Sequence, residues 1–555
     1  MHTLALSDYL VFLLYFVVVS SYGLWVYYRR KSKELNTKDY FLAEGSLTWW
    51  AIGASLIASN ISAEQFIGMS GDGFKLGLAI AAYEWLAAAT LLIVAVFFIP
   101  VYLKNKIYTM PQFLNQRYNG TVSTIMAVFW LLLYIVVNLT SILYLGALAV
   151  SSISNVNFTV CMYGIAIFAI FITLGGMKVI GYTDVLQVLV LILGGLATTY
   201  LALTMVAEHY NTAGILNGLG LLYEKAPTHF DMIFTKEQEH YLSLPGLSVL
   251  IGGMWIVNLN YWGCNQYITQ RALGADLTTA RNGILFAAFL KMLMPIIVVL
   301  PGIAAWVLYR EGFFQADMLV DGTVRADKAY PVLLNLLPVG LKGLAFAALT
   351  AAVVASLAGK SNSIATIFSL DIYKRLFDKE ADERKLVNIG KITIVTTMVL
   401  AVLIAPHLGI EKGGFQYIQE YTGFVSPGIF AMFILGFFWK KTTSNAALFA
   451  TIGGFALSVI LKFLPGWVDL SSLYTYGFAV PNAEGVYEIP FIDRMGFVFV
   501  FCVIGMVLIS VVENNRGVVP NGLLVDKSMF KVHPAFLAGS LIIAGLLVAI
   551  YTVFW

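Results

Sequence analysis

The ionisable and amide side chains that are most suitable for binding a solute lie inside long apolar segments of the chain. One carboxylate (Glu84), one amine (Lys291) and three amides (Gln65, Asn258 and Gln419) stand among hydrophobic neighbours. An ionisable group at the centre of a lipid bilayer costs about 2.5–3.5 kcal/mol by insertion scales, so its presence there indicates a functional site. Each of these groups can match a hydroxyl, and aromatic faces can cover the C–H surface of a sugar. The set therefore predicts a pocket for a neutral polyhydroxylated solute.

The same residues allow other interpretations. Glu84 and Lys291 can form a structural ion pair that never touches a solute, and Gln419 can make a purely structural hydrogen bond. A carboxylate or amino acid solute would instead need a helix N-terminus and a compensating cation.

Two apolar segments that carry such residues are interrupted, one over residues 51–65 and the other over residues 251–263. A helix in lipid can leave its hydrogen-bond ladder only where it lines a cavity or packs on protein. Paired interruptions in corresponding halves of a membrane chain predict a transporter's binding site near the bilayer midplane. We expect the breaks at residues 58–62 and 258–262.

A cation site needs several oxygen atoms at close range, which the carbonyls of a broken helix and nearby hydroxyls can supply. Residues 351–363 contain Ser356 among many small side chains, which allow close approach to the first broken helix. Simple helix packing explains this composition as well as ion binding does.

The composition is that of a membrane protein with many spans. The chain has 555 residues, of which 59% are hydrophobic and 12% charged, and its mean hydropathy is +0.82. A net charge of +3 gives no reason to expect a nucleic acid partner. No nucleophile–base pair, metal cluster or phosphate loop supports an enzyme. The three cysteines lack metal-ligand spacing and are expected to be packing thiols: Cys161, Cys264 and Cys502.

A spanning helix needs roughly 20 apolar residues, and the chain offers fourteen candidates. Their centres lie near residues 18, 59, 90, 135, 167, 195, 258, 293, 352, 396, 425, 454, 502 and 544. The first is expected to be a retained helix, because its positive cluster Arg29-Arg30-Lys31 follows the apolar run instead of preceding it. The positions of lysine and arginine place both termini outside the cytoplasm.

The second interrupted span lies five spans after the first, which predicts a five-plus-five inverted repeat. The predicted divisions are a leading helix and loop (residues 1–45), a first repeat (46–210), an outer loop (211–245), a second repeat (246–440) and three trailing helices (441–555).

Several long strings make the chain resemble the sodium/solute symporter family, most closely its bacterial sodium/galactose (sodium/glucose-type) members. The strings are residues 58–71, Tyr83-Glu84-Trp85, Gly175-Gly176-Met177, residues 261–267, Phe289-Leu290-Lys291 and residues 415–423. The resemblance covers nearly the whole chain. It implies an all-α alternating-access fold of about fourteen helices with a leucine-transporter-type core.

The resemblance also implies roles for individual residues. The sugar would contact Gln65, Glu84, Asn258, Lys291 and Gln419. The gates would be Tyr261, with its neighbour Trp262, as an inner gate steadied by Asn60, and an outer lid made of Met69, Tyr83 and Phe415. One sodium ion would be held by the backbone oxygens of Ala58, Ile61 and Ala352 and the hydroxyl of Ser356. A carboxylate, Asp184, would stand along the cytoplasmic exit path of the ion.

Three positions depart from the galactose-type pattern. Ala87 replaces a serine that usually contacts the sugar, and Ala355 replaces a second sodium-binding serine. Lys360 stands one turn beyond Ser356, where an apolar residue is common. Its ammonium can lower sodium affinity or take over part of the cation's role. Alternatively, Lys360 extends to the cytoplasmic interface and never meets the ion.

Together these features predict a symporter that couples inward sodium flow to hexose uptake across the inner membrane of a bacterium. Sodium is the expected coupling ion, and no other cofactor, nucleic acid or required protein partner is expected. The alternatives are a passive channel and a proton-coupled or sodium-independent sugar or polyol transporter of the same fold.

Overall fold

In a computed structural model of the protein, the described residues are 4–30, 40–41, 47–62, 64–154, 156–320, 322–407 and 414–555. They are mostly helical. In the first part of the chain the α helices are α1 (Leu6–Arg30), α2 (Trp49–Asn60), α3 (Ser70–Leu76), α4 (Ala82–Ile93), α5 (Ile99–Lys104), α6 (Met110–Arg117), α7 (Gly120–Leu132), α8 (Thr140–Ser154), α9 (Phe158–Leu174), α10 (Gly176–His209) and α11 (Ile215–Lys225).

The middle of the chain contains the longest helices and a two-residue hairpin. Its helices are α12 (Leu247–Ile251), α13 (Gly253–Gly263), α14 (Gln266–Leu273), α15 (Leu277–Arg310), α16 (Gln315–Met318), α17 (Ala329–Leu336), α18 (Leu341–Thr366) and α19 (Glu383–Ile404). The antiparallel hairpin pairs β1 (Leu319–Val320) with β2 (Thr323–Val324).

The last part has six helices and a second antiparallel hairpin among its described residues. The helices are α20 (Gly414–Gly423), α21 (Ser426–Phe438), α22 (Ser444–Leu448), α23 (Gly454–Phe463), α24 (Phe491–Asn515) and α25 (Pro534–Val553). The hairpin pairs β3 (Val480–Pro481) with β4 (Tyr487–Glu488).

Short π-helical and 3-10 segments continue or connect these helices. The π segments are Glu64–Met69, Val94–Phe98, Leu133–Leu139, Ile367–Phe377 and Phe449–Gly453. The 3-10 segments are Gly77–Ala81, Pro227–Phe230, Glu239–Leu242, Ala326–Lys328, Ala405–His407, Leu464–Gly466, Ser471–Tyr476 and Lys527–Phe530.

The prediction of a membrane protein with many spans is confirmed. Within the described residues, 10 helical runs are long and apolar enough to cross a membrane, or 11 if a pair bent by 75° is one span. Large side chains on their surfaces are exposed, among them Leu541 (63%) and Ile542 (64%) of α25, as lipid contact requires. Fourteen crossings, the inverted repeat and the sidedness of the termini stay predictions.

One of these runs, Glu64–Lys104, has 41 residues, so a straight helix would be about 62 Å long, roughly twice the hydrocarbon thickness. The chain turns inside the run at Gly77, whose φ of 71° ends α3. A Cβ at this position would lie 2.2 Å from the carbonyl oxygen of His229. Only glycine both adopts this positive φ readily and has no Cβ to clash with the His229 carbonyl. The turn at Gly77 therefore separates α3 from α4.

The first predicted helix break is present. Helix α2 ends at Asn60, and Ile61 has extended backbone angles (φ −82°, ψ 108°). Ser62 is a bend, and a π-helical segment begins at Glu64. Ala63 lies outside the described residues.

The second predicted break was wrong in its position. Residues 258–262 lie in the continuous helix α13, and the break falls earlier, at Gly252 (φ −122°, ψ −128°). Helix α13 is not a lipid-facing helix, because Asn258 (5% exposed) and Asn260 (8%) are buried. It is the glycine pair Gly252-Gly253, and not the amides, that interrupts the segment.

The chain forms two compact units. Unit 1 comprises Met1–Ala81, Leu131–Asp231 and Phe289–Tyr417, and unit 2 comprises Ala82–Trp130, Met232–Ala288 and Ile418–Trp555. In unit 1, α10 and α18 pack against each other and both contact α1, α2 and α9. In unit 2, α13 packs against α4, α21 and α24. The two units are defined by contacts, whereas the predicted divisions are defined by an internal repeat. The predicted divisions therefore stay predictions.

Candidate functional site

The helix break after α2 releases backbone carbonyls from the hydrogen-bond ladder. The Ser62 amide donates to Gln65 Oε1 at 2.9 Å instead of continuing the helix to the Ala58 carbonyl. The Gln65 amide donates to the Ser62 carbonyl at 3.1 Å, which leaves the Ile61 carbonyl outside the ladder as well. Broken-helix carbonyls of this kind are typical cation ligands in membrane transporters.

A hydroxyl from α18 meets these carbonyls. Ser356 Oγ donates to the Ser59 carbonyl oxygen at 2.8 Å and lies 3.5 Å from the Ile61 carbonyl oxygen. Ser356 is fully buried, and α18 packs against α2. The structure thus brings two of the four predicted sodium ligands together and adds the Ser59 carbonyl.

The two other predicted sodium ligands, Ala58 and Ala352, are buried in the same pair of helices. The available atoms are neutral oxygens of carbonyls and a hydroxyl, the chemistry that a hard monovalent cation requires. The residues therefore fit sodium. The complete ligand set stays a prediction.

Asp184 is held by the helix that leads to the break. Its carboxylate accepts a hydrogen bond of 2.6 Å from Ser55 Oγ, one turn before Ser59 in α2. Asp184 is 1% exposed. A buried carboxylate fixed to α2 is compatible with the predicted role along the path of the ion, which stays a prediction.

The alternative prediction that the Lys360 side chain extends to the cytoplasmic interface was wrong. The side chain is buried, its ammonium donates to Asn138 Oδ1, and it lies 5.8 Å from the ring centre of Tyr134. The charge also acts on the carboxylate of Glu64, the first residue of the π-helical segment after the break. Lys360 therefore links α18 to the π-helical segment Leu133–Leu139.

In unit 1, Lys291 donates to the side-chain oxygen of Asn60, the last residue of α2. The Gln65 amide oxygen accepts from the Ser62 backbone and, at 3.3 Å, from the Ser62 hydroxyl. This leaves the Gln65 amino group as the donor for a solute. Lys291 and Gln65 are both buried, and their sugar contacts stay predictions.

In unit 2, Glu84 and Asn258 are buried (3% and 5% exposed) and Gln419 is half-buried. Asn258 Nδ2 donates to the Met254 carbonyl at 3.1 Å, one turn back in α13, so its side-chain oxygen remains as an acceptor. The structural alternatives for Glu84 and Gln419 stay open.

The residues predicted as gates are largely buried aromatic and apolar side chains. In unit 2, the Tyr261 and Trp262 rings are 5.2 Å apart and nearly perpendicular, and Tyr83 is 5% exposed. In unit 1, Met69 and Phe415 are buried. The steadying of Tyr261 by Asn60 stays a prediction, since the Asn60 oxygen accepts from Lys291.

Three partners in the site were not predicted from the sequence. Ser59 contributes a carbonyl oxygen, Ser55 holds Asp184, and Asn138 accepts from Lys360. Asn138 carried a usable signal, because an amide inside an apolar segment is itself costly unless it is paired. A backbone carbonyl such as that of Ser59 carries none.

A family model described as the sodium:solute symporter family matches residues 40–454. A sodium/glucose cotransporter of Vibrio parahaemolyticus is 44% identical over 562 residues, which cover 100% of this chain and 99% of that protein. A sodium/myo-inositol cotransporter 2 of Homo sapiens is 33% identical over 478 residues, which cover 82% of this chain and 69% of that protein.

Among solved structures, a Na⁺-coupled sialic acid symporter in a substrate-bound outward-open state has a TM-score of 0.75 at 21% identity. The match covers 94% of this chain and 100% of that one, and it concerns the fold alone. The chain belongs to the sodium:solute symporter family.

Proposed function

We propose that this protein couples the inward flow of sodium ions to the uptake of a hexose of the galactose or glucose type by alternating access. The contact of the Ser356 hydroxyl with carbonyl oxygens at the break after α2 carries the proposal. Packing two helices does not require carbonyls released from their ladder, whereas a cation does. The similarity to a sodium/glucose cotransporter supports a sugar as the solute.

The sodium ion is proposed to bind to the carbonyl oxygens of Ala58, Ile61 and Ala352 and to the Ser356 hydroxyl. It would link α2 to α18 at the point where α2 ends. Asp184, fixed to α2 by Ser55, is proposed to attract the ion along its cytoplasmic exit path.

The sugar is proposed to contact five residues of complementary hydrogen-bonding character. The amino groups of Gln65 and Lys291 donate, the Glu84 carboxylate accepts, and the amides of Asn258 and Gln419 can do either. A solute without charge suits this set, since one carboxylate and one amine cancel. The local hydrogen bonds of Gln65 to Ser62 hold its amide in one orientation, which reduces the entropy lost on binding.

The gates are proposed to be apolar covers on the two sides of the sugar. Tyr261 and Trp262, steadied by Asn60, would close the inner side. Met69, Tyr83 and Phe415 would close the outer side. Sodium at the break would favour the outward-open state, and sugar binding would then close the outer lid.

The energetics allow useful accumulation with one ion per sugar. Each charge gains about 2.3 kcal/mol per 100 mV of membrane potential. A tenfold sodium gradient adds about 1.4 kcal/mol, and the total of about 3.7 kcal/mol corresponds to roughly 500-fold sugar accumulation.

The proposed topology has fourteen spans, a five-plus-five inverted repeat (residues 46–210 and 246–440) and both termini outside the cytoplasm. The turn at Gly77 supports the higher span count, because it divides the 41-residue run Glu64–Lys104 that a count by length treats as one span. The proposed location is the inner membrane of a bacterium.

Two observations, one on this chain and one on a relative, support a polyol as an alternative solute. Ala87 lacks the hydroxyl that usually contacts the sugar, so one contact is missing. A human relative is named as a sodium/myo-inositol cotransporter. A panel of galactose, glucose and myo-inositol as competitors against labelled sugar would rank the three.

Equilibrium binding to the purified protein tests the coupling. Sodium must raise sugar affinity by the same factor by which sugar raises sodium affinity. Equal sugar affinity with and without sodium would contradict the proposal. Sugar affinity that responds to pH instead of sodium would favour the proton-coupled alternative.

A further inference from the structure

The buried carboxylate of Asp72 has no part in the proposed function. Asp72 lies in α3, three residues after Met69, and is 7% exposed. Among the described residues its Oδ2 atom has no hydrogen-bond partner. A buried ionised carboxylate costs several kcal/mol unless a partner compensates it, so this oxygen calls for one.

A second carboxylate faces Asp72. Asp327 stands in the 3-10 turn Ala326–Lys328, which packs against α3. A Cβ built on Gly71 would lie 2.9 Å from Asp327 Oδ1 and 3.0 Å from the Ala326 carbonyl oxygen. The turn therefore rests directly on the residue before Asp72, and the Asp327 charge acts on the Asp72 carboxylate.

An amide completes the group. Gln416 faces Asp72, yet within the described part of the chain its Oε1 and Nε2 atoms are buried without a hydrogen bond of good geometry. Its place is fixed by Phe415, whose Cβ would lie 2.7 Å from a Cβ on Gly68. Gly68 and Asp72 are one helical turn apart and lie on the same face of the helix. Since Phe415 packs against Gly68, the next residue, Gln416, lies close to Asp72.

The charges of the group suit a monovalent cation. With both carboxylates ionised, the formal charges of Asp72, Asp327 and the exposed Lys75, which also acts on Asp72, sum to one negative charge. The atoms available are carboxylate, amide and carbonyl oxygens, the ligands that hard cations prefer. A sugar hydroxyl would leave the net charge uncompensated.

We propose that Asp72, Asp327 and Gln416 form a second sodium site, separate from the oxygens around Ser356. The site lies one turn beyond Met69 and beside Phe415, the two unit 1 residues of the proposed outer lid. A sodium ion there would wait at the outer side of the lid before an ion reaches the broken helix. This inference goes beyond the proposed function, which needs a single ion.

Binding of radiolabelled sodium to the purified full-length protein, measured by scintillation proximity up to saturation, tests the site. Asp72→Asn keeps the shape of the side chain and removes the charge, and Asp327→Asn does the same from the other side. The matched control is Asp317→Asn, an exposed carboxylate of the same loop region. Sugar binding at high sodium serves as the check that each variant is folded.

We expect Asp72→Asn and Asp327→Asn each to lose one bound ion per chain, while Asp317→Asn keeps the wild-type count. Ser356→Ala should bind the other ion about tenfold more weakly and keep the one at Asp72. An unchanged sodium count in Asp72→Asn would overturn the inference, whether the carboxylate then holds a proton, calcium or nothing. That result would leave the Ser356 site untouched, so failure of one proposal is distinguishable from failure of the other.

Discussion

The Ser356 hydroxyl lies 2.8 Å from the Ser59 carbonyl oxygen and joins α18 to the last turn of α2, 297 residues away in the chain. The two residues meet where α2 loses its hydrogen-bond ladder, and both are buried. The contact fixes where a cation can find several neutral oxygens inside an apolar environment. The sodium dependence of this protein should therefore be sensitive to this one hydroxyl.

Ser356→Ala should raise the sodium concentration for half-maximal uptake by about tenfold, the equivalent of about 1.4 kcal/mol. The reason is that one oxygen ligand is lost while the helix stays intact. Sodium titration of sugar uptake measures the shift. Thr350→Val is the matched control, because Thr350 Oγ1 donates within its own helix, to the Phe346 carbonyl at 2.9 Å. A similar shift in both variants would mean that the effect is general to α18.

Lys291→Met should weaken sugar binding at saturating sodium by about 10- to 100-fold, since a hydrogen bond to a charged group contributes about 1.5–3 kcal/mol. Sugar affinity measured by equilibrium binding gives the change. Lys225→Met, which removes an exposed ammonium from the end of α11, should leave affinity as it is. Wild-type affinity in Lys291→Met would remove Lys291 from the sugar site and favour its structural role with Asn60.

Lys360 and Asn138 should show coupling in a double-mutant cycle of Lys360→Met and Asn138→Leu. Each single variant removes one side of this hydrogen bond and leaves the other polar group buried, whereas the double variant removes both polar groups. We expect the double variant to be less destabilised than the sum of the singles by about 1–3 kcal/mol. Unfolding in detergent, followed over a denaturant series, gives the free energies. Additive effects would show that the contact contributes nothing.

Asp276→Ala should lower the free energy of unfolding by about 1 kcal/mol. Asp276 caps α15, accepting from the Thr278 and Thr279 amides at 2.9 and 3.0 Å and from the Thr279 hydroxyl at 2.6 Å. The Thr279 hydrogen bond lowers the pKa of this carboxyl, so its contribution is present above roughly pH 4 and is lost as pH falls through the folded pKa.

Asp276→Asn is the companion variant, because the amide keeps a capping oxygen but cannot titrate. It should unfold close to wild type at neutral pH and should lose the acid dependence that Asp276 brings. Equal acid dependence in wild type and Asp276→Asn would assign that dependence to other carboxyls.

The first helix break was predictable because polar Asn60 and Ser62 interrupt an apolar run, and the structure ends α2 at Asn60. The second was misplaced because the same reasoning was applied to Asn258 and Asn260. Those amides remain helical, since Asn258 donates to the carbonyl one turn back and Asn260 donates to Ser426 Oγ at 3.1 Å. Polar residues in a span therefore do not by themselves locate a helix break, because a side chain with a partner nearby can remain in a continuous helix.

The environment of Lys360 could not be settled from the sequence, because its partner Asn138 lies 222 residues away. A lysine near the end of an apolar segment is equally consistent with an interface position and with a buried partner. The distinction depends on the packing of α18 against the π-helical segment Leu133–Leu139 and α8, which are far from α18 in the sequence.

Coupling itself is tested most directly by labelled galactose or glucose uptake into proteoliposomes, with and without an imposed inward sodium gradient. The account predicts transient accumulation above the outside concentration when the gradient is present, and only slow equilibration when it is absent. Accumulation that is the same in both conditions, or that follows an imposed pH gradient alone, would contradict sodium-coupled symport.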